Sequence, residues 1–166
     1  LLWFVSGVVM LYVGYPKWTP AERLASLPPL AEPAVADWPA LAQQLAAQQP
    51  QAVRLTTVAG APRLLVSQAD KSVRALDLHG RPLPPLNADA ALAVARATFP
   101  HTSARYLGQV DEDAWTHSKA LDPLRPLHKV LLDDAQHTLL YVSARTGEVA
   151  RDASAPLDFE FSPPEA

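Results

Sequence analysis

Five histidines are the side chains of this sequence best suited to acid–base or metal chemistry. Four of them lie in the second half of the chain, separated by 16, 11 and 9 residues. Metal sites gather their ligands through short fixed spacings, and no HxH or HxxxH pair is present. We therefore predict no metal site and expect ordinary surface or turn histidines: His79, His101, His117, His128 and His137.

Other catalytic patterns are also missing from the sequence. No serine lies in a GxSxG or SxxK pattern, and no GxGxxG or P-loop could cradle a phosphate. The chain has no cysteine, which excludes thiol catalysis and thiolate metal sites. Asp133 and Asp134 fit a turn better than a proton-sharing pair, because neighbouring strand residues point to opposite faces. We predict no catalytic residue in this chain.

The polar, proline-bounded segment from Trp115 to His128 is the best candidate for binding. Arg125 carries a planar fork of donors that suits a carboxylate, and Trp115 offers a large flat face. One interpretation makes Trp115, Arg125 and His128 a contact surface for a protein or peptide partner, or for a substrate. The other, which we favour, places Trp115 in the core and pairs Arg125 with Asp122 or Glu148.

The charge balance excludes one large class of partner. The chain has 14 basic and 17 acidic residues and a net charge of −3, with no basic cluster. Nucleic-acid binding is therefore not expected. With 49% apolar residues, the chain is also too hydrophobic for general disorder.

The first 15 residues contain no charged side chain. A hydrocarbon core of roughly 30 Å needs about 20 helical residues, so these would cover part of a membrane span. We predict that residues 1–16 are the end of a transmembrane anchor in the lipid bilayer, and that the chain is a fragment. A buried core helix and the apolar part of a signal peptide are the alternatives. Aromatic side chains suited to the membrane interface flank this segment: Trp3, Tyr12, Tyr15 and Trp18.

The remainder of the chain contains the same pattern twice. Each copy begins with LPPL, at residues 27–30 and 83–86, and continues with a helix N-cap, Asp37 or Asn87. The first apolar helical stripe is Trp38, Leu41 and Leu45, and the second is Ala88, Ala91, Leu92, Ala95 and Phe99. Strand-like runs follow at residues 52–58, 63–67 and 73–78, and then at 104–110, 127–133, 138–143 and 148–151.

These patterns predict an α+β protein. Each copy would be one helix packed on a three- or four-stranded antiparallel sheet, since a helix on one sheet face buries both apolar surfaces. We divide the chain into the anchor (residues 1–16), a first unit with its linker (17–86), a second unit (87–152) and an irregular tail (153–166).

Two stretches of the sequence resemble the PepSY-associated transmembrane family. One is GYPKWTPAERLASLPPL after the apolar segment, and the other is WTHSKALDPLRPLHKVLLDDAQHTLLYVSARTGEVARD. The resemblance implies an inner-membrane protein, single-pass or multi-pass, whose PepSY-type α+β units lie in the periplasm. Members similar to reductases of iron–siderophore uptake hold haem between their membrane helices, so no cofactor is expected in this chain itself.

The resemblance implies a non-catalytic interaction or regulatory module, as part of an iron–siderophore uptake reductase. PepSY units also occur in protease propeptides, and the alternative is therefore a regulator or inhibitor of a periplasmic peptidase. The bilayer and a protein or peptide are the expected partners.

Overall fold

The computed structural model describes residue 21 and residues 38–154. The predicted membrane anchor, the first LPPL and the Asp37 cap lie outside these residues. Among the described residues, no helix is long and apolar enough to cross a membrane.

The first unit is a helix followed by a three-stranded antiparallel meander. It consists of α1 (Trp38–Ala46), β1 (Ala52–Val58), β2 (Ala61–Ser67) and β3 (Val73–Leu76), in the sheet order β1-β2-β3. Leu41 and Leu45 of α1 pack on one face of the sheet, against Leu64, Val66 and Leu76. Trp38 was predicted to share this buried stripe, but its side chain is 47% exposed.

The second unit repeats the arrangement with one more strand. It consists of α2 (Ala88–Thr98), β4 (Ala104–Val110), β5 (Leu127–Leu132), β6 (Thr138–Ser143) and β7 (Val149–Ser154), in the sheet order β4-β5-β6-β7. Asn87 caps α2 as predicted, because its Oδ1 accepts a hydrogen bond of 2.9 Å from the Ala90 amide. Buried residues of α2 pack on one face of the sheet: Ala91, Val94 and Ala95 against Val130, Leu132, Leu140 and Val142.

The predicted α+β class is confirmed, with two separate antiparallel sheets and a helix on each. The predicted strands are also confirmed: β1, β4 and β6 have the predicted bounds, and the ends of the other strands move by one to three residues. One element was not predicted: a 3-10 helix at Lys119–Leu124 in the long connection between β4 and β5. Ser118 begins this helix, and its side chain accepts from the Ala120 amide at 3.4 Å.

The connection between β4 and β5, residues 111–126, lies against the second sheet on the face opposite α2. We call this connection the strap. Residues of the strap share a cluster with strand residues of that face: Trp115, Leu121 and Leu124 with Leu127, Leu131, Leu139 and Tyr141. Both faces of the second sheet are therefore covered, one by α2 and the other by the strap. The sequence had predicted only a helix on one face.

Candidate functional site

Asp113 is the centre of the polar contacts that hold the strap on the sheet. Its Oδ2 accepts hydrogen bonds from the Tyr141 hydroxyl at 2.7 Å and from the Lys129 ammonium at 3.0 Å. Its Oδ1 accepts from the Trp115 amide and the Thr116 hydroxyl, both at 3.0 Å. Lys129 and Tyr141 are direct cross-strand partners, so the sheet presents both donors to one carboxylate.

The ionisation of this cluster follows from its contacts. Burial by itself raises the pKa of Asp113, but hydrogen bonds from Tyr141, Lys129 and Trp115 outweigh it and hold that pKa below its ordinary value. Burial, and then the hydrogen bond to the Asp113 carboxylate, raise the pKa of Tyr141. At neutral pH Asp113 is therefore a carboxylate and Tyr141 a protonated phenol. Both side chains, and that of Lys129, have a hydrogen-bond partner within the cluster.

Trp115 is half-buried in the apolar cluster beneath the strap, beside Leu121 and Tyr141. Arg125 also faces inward, with a side chain 14% exposed. Its Nη2 donates to the Thr116 carbonyl at 2.6 Å, and its Nε donates to Asp122 at 3.0 Å. The predicted pairing of Arg125 with Asp122 is thus confirmed.

One nitrogen of Arg125 is less well satisfied. Its Nη1 is buried and has no hydrogen-bond partner in the described part of the chain. The nearest additional carboxylate is that of Glu112, 3.8 Å from Nη2. Glu112 also contacts His117, and both are exposed on the outer side of the strap.

His128 lies on the opposite face of the sheet from Trp115, since it follows Leu127 and precedes Lys129 on β5. The expectation of a surface or turn histidine was wrong for this residue, which is 2% exposed. Its Nε2 lies 2.8 Å from the Leu86 carbonyl, and its Nδ1 lies 2.9 Å from the Tyr106 hydroxyl. A carbonyl can only accept, so we assign the proton to Nε2 and the acceptor role to Nδ1.

His128 therefore belongs to the junction between the two units rather than to the strap. Leu86, the last residue of the second LPPL, also donates its amide to the Ala144 carbonyl at 2.7 Å. Its side chain packs with Val58 of the first unit and Val142 of the second. The linker is thus fixed at Leu86 by both backbone groups and by its side chain.

The turn between β6 and β7 completes the junction. Arg63 of β2 donates to the Thr146 carbonyl at 3.1 Å, and Arg54 pairs with Glu148 at 2.8 Å. Gly147 has φ +77, and a Cβ there would lie 2.7 Å from a methyl carbon of Val58. Only glycine allows the two units to approach this closely with this backbone conformation.

The remaining sequence candidates have ordinary roles. Asp134 accepts from the Gln136 and Thr138 amides, which confirms its role as a turn former. His79, His101, His117 and His137 are exposed. Within the described residues, no group of three histidine, aspartate or glutamate side chains could hold a metal ion.

The predicted site therefore divides into two. Trp115 and Arg125 meet in the strap, and His128 lies behind the sheet. Sequence reasoning missed Asp113, Lys129 and Tyr141. The hairpin predicted around residues 134–136 already implied that Lys129 and Tyr141 pair, but nothing in the sequence indicated that Asp113 folds back onto them.

Comparison with protein-family models, curated proteins and solved structures found no match to this chain.

Proposed function

We propose that this chain is a non-catalytic interaction module of two PepSY-type units, held in the periplasm by an anchor in the inner membrane. The observation that carries the proposal is the strap. It is a 16-residue connection held on a sheet face by apolar packing and by the hydrogen bonds of Asp113, with exposed polar residues on its outer side. Loops positioned by a rigid scaffold are common binding surfaces.

The inner side of the strap is occupied by internal contacts. Asp113 bonds to Lys129 and Tyr141, and Ser143 donates to the Leu124 carbonyl at 2.7 Å. A surface ordered before it meets a partner loses less conformational entropy on binding, which favours affinity. The same commitment of Asp113, Lys129 and Tyr141 to one another argues against their use as acid, base or nucleophile.

The outer side of the strap would contact the partner. Glu112, His117, Ser118, Lys119 and Asp122 are exposed there and carry both signs of charge. Mixed charges on a fixed loop favour a protein or peptide partner of matched charge pattern over a nucleic acid.

Haem is not expected to bind within the described residues. His128 is the one buried histidine among them, and both of its ring nitrogens are engaged, with Tyr106 and Leu86. It therefore has no free nitrogen for iron. If the whole protein is part of an iron–siderophore reductase, the haem would be held by membrane helices outside this chain.

Site-specific photo-crosslinking of the full chain in its native membrane tests the proposal. A photoreactive residue at Ser118 should yield a discrete crosslinked protein or peptide, because Ser118 is exposed on the strap. The matched control is Ala97, which is exposed on α2. Equal yields at both positions, or none at Ser118, would contradict a binding role for the strap.

The identity of the crosslinked species separates the two functions. A membrane reductase subunit, together with a haem absorption band in the whole protein, supports the iron-uptake role. A peptidase that slows when the purified chain is added supports the alternative of a peptidase regulator.

A further inference from the structure

The first unit carries an exposed surface without charge. Residues 38–53 include no lysine, arginine, aspartate or glutamate, and this is the longest such run in the described part of the chain. The run comprises α1, the turn after it and the start of β1. Its exposed residues include Ala42, Gln43 and Ala46 of α1 and Ala47 of the turn that follows.

Trp38 stands at the beginning of this surface. It continues the stripe of Leu41 and Leu45, which are 4% and 9% exposed, yet its own side chain is 47% exposed. The apolar stripe of α1 therefore extends past the core at its N-terminal end. An indole has an apolar body and one N–H donor, which suits the boundary between lipid and water.

We propose that the Trp38 end of α1 rests in the headgroup region of the bilayer that holds residues 1–15. Membrane anchoring of that segment, part of the proposed function, is a premise of this inference. Only 22 residues separate Tyr15 from Trp38. Such a segment spans at most about 75 Å when fully extended, so Trp38 stays within that distance of the membrane. Tethering raises the local concentration of lipid at Trp38 and makes a weak contact effective.

The absence of charge favours lipid over a protein partner. Charges set the register and specificity of protein contacts, and α1 offers none. Conversely, a charged side chain is costly to bring toward hydrocarbon, and this surface has none to desolvate. Charged residues flank the run in sequence, Asp37 before Trp38 and Arg54 after Val53. Arg74 also borders it, since its Nη2 reaches Gln48 at 3.4 Å, at the other end of α1 from Trp38.

Fluorescence quenching of the full chain in phosphatidylcholine vesicles tests this placement. One variant keeps Trp38 alone, with Trp3, Trp18 and Trp115 changed to Phe. The matched control keeps Trp115 alone, which lies half-buried under the strap. Lipid brominated close to the headgroup should reduce the emission of Trp38 more than lipid brominated deep in the acyl chains. Neither brominated lipid should change the emission of Trp115 in the control variant.

Two further measurements make the outcome decisive. The quenching of Trp38 should not increase when anionic lipid is added, because α1 carries no positive charge and the residue before Trp38 is an aspartate, Asp37. Circular dichroism shows whether replacing Trp115 unfolds the chain. If it does, the unaltered chain is compared instead with its Trp38→Phe variant, and the difference in quenching between these two proteins reports on Trp38.

Each other outcome overturns the inference in a distinguishable way. If the chain floats with the vesicles but Trp38 is not quenched, the inference is wrong and membrane anchoring stands. If the chain does not float, anchoring and the inference both fail. If Trp38 is protected from an aqueous quencher only at high protein concentration, its contact is a second copy of this chain.

Discussion

Replacing Gly147 by alanine should destabilise the protein strongly, because two separate costs coincide there. The first is the backbone, since φ is +77, a conformation that costs an L-residue about 1–2 kcal/mol. The second is space. The added Cβ would lie 2.7 Å from Val58 and 2.9 Å from the Arg63 guanidinium, and overpacking of this kind costs about 1–3 kcal/mol. Together these two costs predict that the free energy of unfolding falls by about 2–5 kcal/mol.

Gly60→Ala provides a matched control for the backbone cost. Gly60 has φ +81, almost the same conformation, but a Cβ there would meet nothing within 4 Å. The Gly60→Ala substitution should therefore lower the free energy of unfolding by only about 1–2 kcal/mol. The difference between the two variants measures how tightly the first unit packs on the turn of the second.

Urea unfolding followed by far-ultraviolet circular dichroism measures both variants. The expected result is a lower transition midpoint for Gly147→Ala than for Gly60→Ala, with similar slopes in both. Equal losses in the two variants would refute the close approach of the units at Gly147.

Three other substitutions test the remaining contacts. Asp113→Asn should cost about 1–3 kcal/mol at pH 7 by removing hydrogen bonds to a charged acceptor. Folding lowers the pKa of Asp113. Its contribution to the free energy of unfolding is therefore present above the ordinary pKa of about 4, and it is lost as pH falls through the pKa of the folded state. The difference in free energy of unfolding between the variant and the parent protein, measured in urea, should therefore shrink as pH falls. A difference that stays constant with pH would contradict the paired carboxylate. His128→Phe should cost about 1–3 kcal/mol, since the buried Leu86 carbonyl loses its donor, and thermal unfolding should show it. Arg63→Met should lower the free energy of unfolding by no more than about 1 kcal/mol, because losing the bond to Thr146 is offset by removing a half-buried guanidinium whose Nε has no partner in the described part of the chain. A larger loss in urea unfolding would show that the arginine holds the junction.

Much of the secondary structure could be predicted from the sequence. The Asn87 cap and the turn at Asp134 are local signals, and the structure confirms both. The strand-like runs LHKVLL and TLLYVS also placed β5 and β6 correctly. Local chemistry decides such features, so no knowledge of distant contacts is needed.

Contacts between distant parts of the chain could not be predicted in the same way. His128 looks like any strand histidine until Leu86 and Tyr106 are placed beside it. The strap follows no repeating pattern, and its position depends on the approach of Asp113 to Lys129 across 16 residues. Trp38 fitted the helical stripe by spacing, but spacing does not indicate where the core ends.

The central claim is that the two units fold and unfold as one body. Native-state hydrogen exchange tests this claim most directly. Val66 and Val130 lie on inner strands of the first and second sheets, and both are fully buried. If the junction at Leu86 and Gly147 joins the units, both amides should exchange with the same free energy, equal to that of global unfolding. Exchange of Val66 at a clearly lower free energy than Val130 would show that the first unit opens alone.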